Sequence, residues 1–227
     1  MDKKLTGLFL TFEGVEGCGK TTQANLLTKH LKELGYPVVF TREPGGTPIG
    51  EKLRKLLKDP AISDMQPLTE ALLFSAARYQ HIQQMIMPNL SEGMIVVTDR
   101  FSDATFAYQG YGRKIPLDII RQINELTTWG VKPDLTIMLD LEVRESLKRA
   151  QLRMISDPAL MDRFEIEQED FFRQVREGYL EIARNEPERF KVMDVKPDEP
   201  EKSIQLRVQD LVRDCLASYG PPRNLSL

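Results

Sequence analysis

Residues 14–21 read Gly14-Val15-Glu16-Gly17-Cys18-Gly19-Lys20-Thr21, the pattern G-x-x-x-x-G-K-[ST]. The string follows a short apolar run, Leu8–Phe12. It opens a stretch in which Ala24, Leu27, Leu31 and Leu34 recur at helical spacing until Gly35 stops the helix. Strand, glycine-rich turn and helix in that order form a phosphate cradle. The glycines let successive backbone N–H groups turn inward at the positive end of the helix dipole. Lys20 is expected to reach the β- and γ-phosphates of a nucleoside triphosphate, and the Thr21 hydroxyl to coordinate Mg²⁺. Cys18 reads as a small filler residue, with a thiol activated by the helix N-terminus as the alternative.

Working outward, further apolar runs occur at Val38–Thr41, Met94–Thr98, Leu135–Leu139 and Phe190–Met193. They are apolar on both faces, as strands of a helix-covered parallel sheet must be. Helical patterns lie between them: Leu68–Met87, ending before Pro88 with Leu72, Tyr79, Ile82 and Ile86 on one stripe, then Leu117–Trp129, Val143–Arg153, Glu165–Asn185 and Glu201–Leu216. The alternation predicts an α/β fold, a five-stranded parallel sheet flanked by helices. Residues 1–227 form one domain in this reading, and 220–227 are its frayed tail.

Composition excludes several classes. With 31 Lys plus Arg against 34 Asp plus Glu, the net charge is −3, which argues against nucleic-acid or anionic-membrane binding by bulk charge. Cys18 and Cys215 lack metal-ligand spacing, and no run approaches the ~20 apolar residues of a membrane span. A cytoplasmic protein is expected.

The loop alone leaves the reaction open. A GTPase carries N-K-x-D, and no Asn-Lys pair occurs here. Instead of an acidic cluster, the third strand ends in Thr98-Asp99-Arg100. Asp99 is expected to serve Mg²⁺ through water, and Arg100 to supply a cation where a second phosphate lies. That favours a kinase with a phosphorylated acceptor, over a regulatory module that binds ATP without turnover.

Three segments now become specific: residues 12–23 around the loop, Thr41-Arg42-Glu43-Pro44-Gly45-Gly46-Thr47, and Asp99-Arg100-Phe101 through Ala107-Tyr108-Gln109-Gly110. Together with Leu135–Arg149 and Asp162-Arg163-Phe164-Glu165, they resemble the thymidylate kinases of bacterial type, whose fold is that of a P-loop kinase with a helical lid. The resemblance implies transfer of the ATP γ-phosphoryl group to dTMP with Mg²⁺ bound at Thr21 and Asp99, in a homodimer. The alternative is a kinase for another nucleoside monophosphate. Residues 14–22, ending at Thr22, would hold ATP with Arg149 and Arg163. Arg42 and Arg100 would take the dTMP phosphate, Phe74 would stack on thymine, and Arg78 would meet a thymine oxygen. Thr105 and Gln109 match positions near the base N3 edge, Tyr108 lies beside the deoxyribose, and Glu16 meets the 3′-hydroxyl.

Phe74 and Arg78 are i and i+4, so one helix face can bracket one ring. Two guanidinium groups grip a phosphate dianion bidentately, which lysines do not. Lys20, Asp99, Arg100 and Arg153 are the expected catalytic groups. Val15, Glu16, Gly17 and Cys18 put no cation inside the loop, so the charge-neutralising arginine must come from the lid, about 149–163. Arg153 is the first choice there, with Arg149 or Arg163 assisting. The lid departs from relatives in its stretch Met154–Met161 and in Gln151, where a basic residue is common. His30 and His81 fall in helical stretches and are given no catalytic role.

Overall fold

A computed structural model describes residues 5–157, 162–164 and 167–221. Five parallel strands form one sheet: β1 (Leu8–Glu13), β2 (Val38–Arg42), β3 (Ile95–Asp99), β4 (Leu135–Asp140) and β5 (Phe190–Asp194), in the order β2-β3-β1-β4-β5. Every residue of β1, the central strand, is buried. Leu8, Leu10 and Phe12 face the larger core, which takes in Ala24, Leu27 and Leu31 of α1 (Lys20–Glu33) and Val208 and Val212 of α9 (Glu201–Tyr219). Phe9 faces the opposite layer, edge-on to Phe101 with ring centroids 4.9 Å apart. Two-sided burial explains why the central strands read as unbroken apolar runs, whereas the edge strands β2 and β5 are only partly covered and Val192 of β5 is exposed.

The register positions the site. Phe12 of β1 and Arg42 of β2 both pair with Asp99 of β3. The carboxyl ends of three adjacent strands therefore deliver the phosphate loop, the 43–47 turn and Asp99-Arg100 to one edge, where open α/β sheets bind ligands.

The long helix departs from expectation. It does not stop before Pro88: α3 (Pro67–His81) passes through a π-helical turn, Ile82–Ile86, into α4 (Met87–Ser91). The Met87 N–H bonds back five residues to the Ile82 carbonyl, and Pro88, with no N–H to place, falls in the first turn of α4. The wider turn swings Ile86 onto the buried face. Leu72 and Tyr79 are not on that face: they are 51% and 39% exposed, whereas Glu70, Ala71, Arg78 and His81 are buried.

Helix α2 (Pro48–Lys58) does not emerge from the apolar pattern at all, though Thr47 caps it by accepting from the Gly50 N–H at 3.0 Å and Pro48 begins it. A short α5 (Ser102–Thr105) and a second π-helical segment, Phe106–Gly112, follow β3. Helices α6 (Leu117–Thr128) and α7 (Val143–Ser156) keep close to their expected bounds; α8 spans Glu169–Asn185, and the expected helix start at Glu165 and Ile166 lies outside the described residues. Residues 158–161 of the expected lid and 222–227 of the expected tail lie outside the described residues. Among the described residues, no helix is long and apolar enough to cross a membrane.

Candidate active site

The loop after β1 is built by glycine. Gly17 has φ +79°, and a Cβ there would fall 2.0 Å from the Ser146 carbonyl oxygen of α7. Gly19, also at positive φ, leads into α1. Lys20 is buried, its Nζ donating to the Val15 carbonyl at 2.7 Å. Burial pushes the Cys18 thiol up despite the nearby Lys20 and Arg100 charges, so the activated-thiol alternative gives way to the filler role.

The Thr21 hydroxyl donates to Asp99 Oδ2, joining the start of α1 to the end of β3. A hydroxyl and one carboxylate are hard oxygen donors suited to Mg²⁺. Among the described residues no cluster of three or more His, Cys, Asp or Glu could hold a metal alone. The donor set fits an ion that keeps its waters and shares substrate phosphates.

Next along the same cleft lies Arg100, a non-glycine residue at φ +73°, a costly backbone state that functional sites often retain. Its guanidinium donates to the Gly14 carbonyl (3.1 Å), Tyr179 (3.0 Å), Glu16 (2.8 Å) and Tyr108 (2.8 Å), and lies 4.7 Å from the centre of the Tyr108 ring. Burial works against charge on both members of the Arg100–Glu16 pair. Their mutual attraction outweighs it and, with Lys20 assisting, holds the Glu16 carboxyl far below the usual carboxylate range. Arg42 is half exposed and paired with Glu51 at 3.3 Å.

At the far end Arg78 is buried and donates from Nε to Glu43 (2.8 Å), from Nη1 to Asn124 (3.0 Å), and from Nη2 to the Phe101 carbonyl (3.2 Å) and Thr105 (2.8 Å). These bonds use four of its five donors. Glu43 also meets His81 Nδ1 at 3.1 Å, while His81 Nε2 is 2.6 Å from the Thr41 hydroxyl. His81 is thus partnered on both ring nitrogens and braces Glu43 behind Arg78. Phe74, Tyr108 and Phe164 bound the cleft, with Phe74 and Tyr108 rings each 5.9 Å from Phe164.

The cleft has a volume of about 590 Å³ and runs from the phosphate loop past Arg100 to Arg78 and Gln109. From α7, Arg149 and Arg153 both face it, as i and i+4 residues should, and Arg149 donates to the Pro197 carbonyl. The structure does not bring Arg163 to the phosphate loop. It is buried against the Leu57 carbonyl (3.2 Å) and Glu70 (2.5 Å), because that buried carboxylate requires a cation.

A family model described as thymidylate kinase matches residues 12–205. The thymidylate kinase of Geotalea daltonii is 53% identical over 190 residues, covering 83% of this chain and 89% of that protein. That of Pelotomaculum thermopropionicum is 43% identical over 215 residues, covering 95% and 97%. The crystal structure of thymidylate kinase from Ehrlichia chaffeensis superposes with TM-score 0.73 at 36% identity, covering 91% of this chain and 98% of its own. This chain belongs to the thymidylate kinase family.

As a member of that family it is a phosphotransferase with the P-loop kinase fold. Its cleft also holds cations that the sequence reading passed over. Arg54 and Lys58 of α2 line it beside Arg42, and Arg54 donates to the Pro44 carbonyl at 2.8 Å. Burial, reinforced by the neighbouring Arg42 charge, lowers the Arg54 pKa against the pull of Glu51, Asp162 and Asp99. The signal was present: Thr47-Pro48 starts a helix on which Arg54 and Lys58 are i and i+4.

Proposed function

We infer that this chain is a dTMP kinase, transferring the γ-phosphoryl group of ATP to dTMP to give dTDP and ADP in dTTP synthesis. One observation carries the reading. A single cleft joins the phosphate loop, through Arg100, Arg42 and Arg54, to a buried Arg78–Thr105–Gln109 wall under Phe74. The triphosphate lies along residues 14–22 with Arg149 over it, and Lys20 moves from the Val15 carbonyl to the β- and γ-phosphates. Arg100 and Arg42, joined by Arg54, hold the acceptor phosphate, and Glu16 faces the 3′-hydroxyl while Tyr108 flanks the sugar. An acceptor phosphate oxygen forms a bond to the γ-phosphorus as the bond to the β–γ bridging oxygen breaks and ADP departs. Arg153 neutralises charge on the transferring group. Thr21 and Asp99 would hold Mg²⁺, which when bound would screen the phosphate charges.

Phe74 stacks on thymine, Arg78 addresses one of its oxygens, and Thr105 and Gln109 lie near its N3 edge. Leu72 and Tyr79 of α3, Leu126 of α6 and Trp129 just after α6 leave an apolar face exposed, with the Tyr79 and Trp129 rings 6.0 Å apart. Such a face supports a homodimer. The whole chain acts as one unit in the cytoplasm.

Coupled ADP-release assays with dTMP, dUMP, dCMP and dGMP test the reading. dTMP is expected to exceed dCMP about tenfold or more in kcat/KM, the cost of a buried donor left unpaired when cytosine turns an amino group toward Arg78. dUMP, short by one methyl, is discriminated less. Equal kcat/KM for dTMP and dCMP overturns it.

A further inference from the structure

Glu70 lies in the first turn of α3, fully buried, and takes no part in lining the cleft. Its Oε1 accepts from Gln109 Nε2 at 2.8 Å and from Arg113 Nε at 3.2 Å, and its Oε2 accepts from Arg163 Nη2 at 2.5 Å. We propose that Glu70 is a specificity-setting positioning residue. It fixes which end of the Gln109 amide faces the nucleobase, and through that which base the site accepts.

The geometry carries this. A carboxylate oxygen that already receives an arginine N–H only accepts, so Gln109 must turn its NH₂ toward Glu70. Its amide oxygen is left on the other side of the group, on a residue that lines the cleft, and none of the described hydrogen bonds reaches it. An acceptor presented there suits the N3–H of thymine. Cytosine carries a bare N3 acceptor at the same position and meets it lone pair to lone pair. A Gln109 turned over would present N–H instead and reverse the preference. Glutamine by itself does not choose; the acceptor-only partner behind it does. Arg163 joins this buried cluster from the segment after residues 158–161, and its backbone N–H bonds to the Lys58 carbonyl. The orientation of Gln109 is thereby anchored to α2 as well.

The inference rests on the dTMP reading above, and the test separates the two. In Glu70→Gln the new amide offers one acceptor oxygen. When Arg163 takes it, the new NH₂ faces both Gln109 and Arg113; Arg113 keeps its pair with Glu167, and Gln109 turns over so that its oxygen points inward, away from the base. The ratio of kcat/KM for dTMP to that for dCMP is expected to fall about tenfold or more, mostly through the dTMP KM. Glu70→Asp, still acceptor-only, keeps the ratio even where both rates drop. In a Gln109→Leu background, which has no amide to orient, Glu70→Gln leaves the ratio unchanged. A purely structural role predicts equal losses for both nucleotides with a lower Tm, and that result overturns the proposal. Should Glu70→Gln not fold, Gln109→Leu alone decides: a ratio equal to wild type overturns the proposal, and a tenfold fall supports it. A wild type that does not prefer dTMP refutes the dTMP reading itself.

Discussion

The Tyr179 hydroxyl of α8 donates to Glu13 Oε2 at the end of β1 over 2.6 Å, while Glu13 Oε1 accepts from the Phe101 N–H at 2.8 Å. Arg100 is 3.8 Å away, yet burial dominates and pushes the Glu13 carboxyl up from 4.5 to about 7. The folded protein therefore keeps this proton through a pH window in which the unfolded chain has already lost it. Stability contributed by Glu13 is full below the unfolded value and is lost as pH rises through about 7.

Glu13→Gln removes that loss, because the amide never ionises. Relative to wild type, the variant is expected to gain roughly 1–3 kcal/mol between about pH 5 and about pH 8. Urea denaturation at the two pH values measures it. Parallel pH profiles for the two proteins contradict the assignment.

The phosphate subsites should separate by mutation. Lys20→Ala removes the cation of the donor end, and turnover is expected to fall about 10²-fold or more with dTMP affinity nearly intact. Arg42→Ala and Arg54→Ala act at the acceptor end and raise the dTMP KM. Calorimetric titration of each variant with dTMP checks the split. If Lys20→Ala loses as much dTMP affinity as Arg42→Ala, the two ends are wrongly drawn.

The centre of the sheet was legible because β1, β3 and β4 are buried on both sides, so Leu8–Phe12 and Leu135–Leu139 show no solvent face to confuse the pattern, whereas the edge strands β2 and β5 are only partly buried. The loop between β1 and α1 was legible because its pattern is local, a run of glycines at positive φ between a strand and a helix. The base-proximal wall was not. On α3 the buried face carries Glu70, Arg78 and His81, which hydropathy assigns to solvent, while Leu72 and Tyr79 point outward. Those polar groups are tolerated inside because each finds a partner far along the chain: Glu70 in Arg163, Arg78 in Glu43, His81 in Thr41. Periodicity does not carry pairings of that range, and only the resemblance to thymidylate kinases drew attention to Arg78. Arg163 shows the reverse error. Its place beside the lid suggested ATP, whereas the buried Glu70 claims it.

The outward apolar residues yield a prediction about assembly. Leu126 is 71% exposed and Trp129 60% exposed, so changing them disturbs little within one chain. Leu126→Arg is expected to leave Tm within a few degrees while converting a dimer to a monomer. Sedimentation equilibrium reads this directly. A wild type that sediments as a monomer refutes the homodimer.

The last prediction concerns the cation that meets the transferring phosphoryl group. Negative charge spreads over its equatorial oxygens, and an arginine aimed there is worth about 10³–10⁵ in rate. The loop supplies none: Val15 is buried in the core, Glu16 is an anion paired with Arg100, and Gly17 and Cys18 are neutral. Arg100 itself is engaged by Glu16, Tyr108, Tyr179 and the Gly14 carbonyl. Helix α7 leaves Arg149 and Arg153 facing the cleft, and Arg149 is drawn toward the Pro197 carbonyl at its outer edge. Arg153 is close enough to Glu16 for its charge to help lower that carboxyl. Arg153→Ala is therefore expected to lower kcat by at least about 10²-fold at saturating ATP with the dTMP KM almost unchanged, and Arg149→Ala to act mainly on the ATP KM. Arg163→Ala, by uncovering Glu70, is expected to lower Tm more than either. Steady-state kinetics beside thermal melts distinguishes the three. An Arg153→Ala enzyme within about twofold of wild type, far short of what such an arginine supplies, removes it from the transition state.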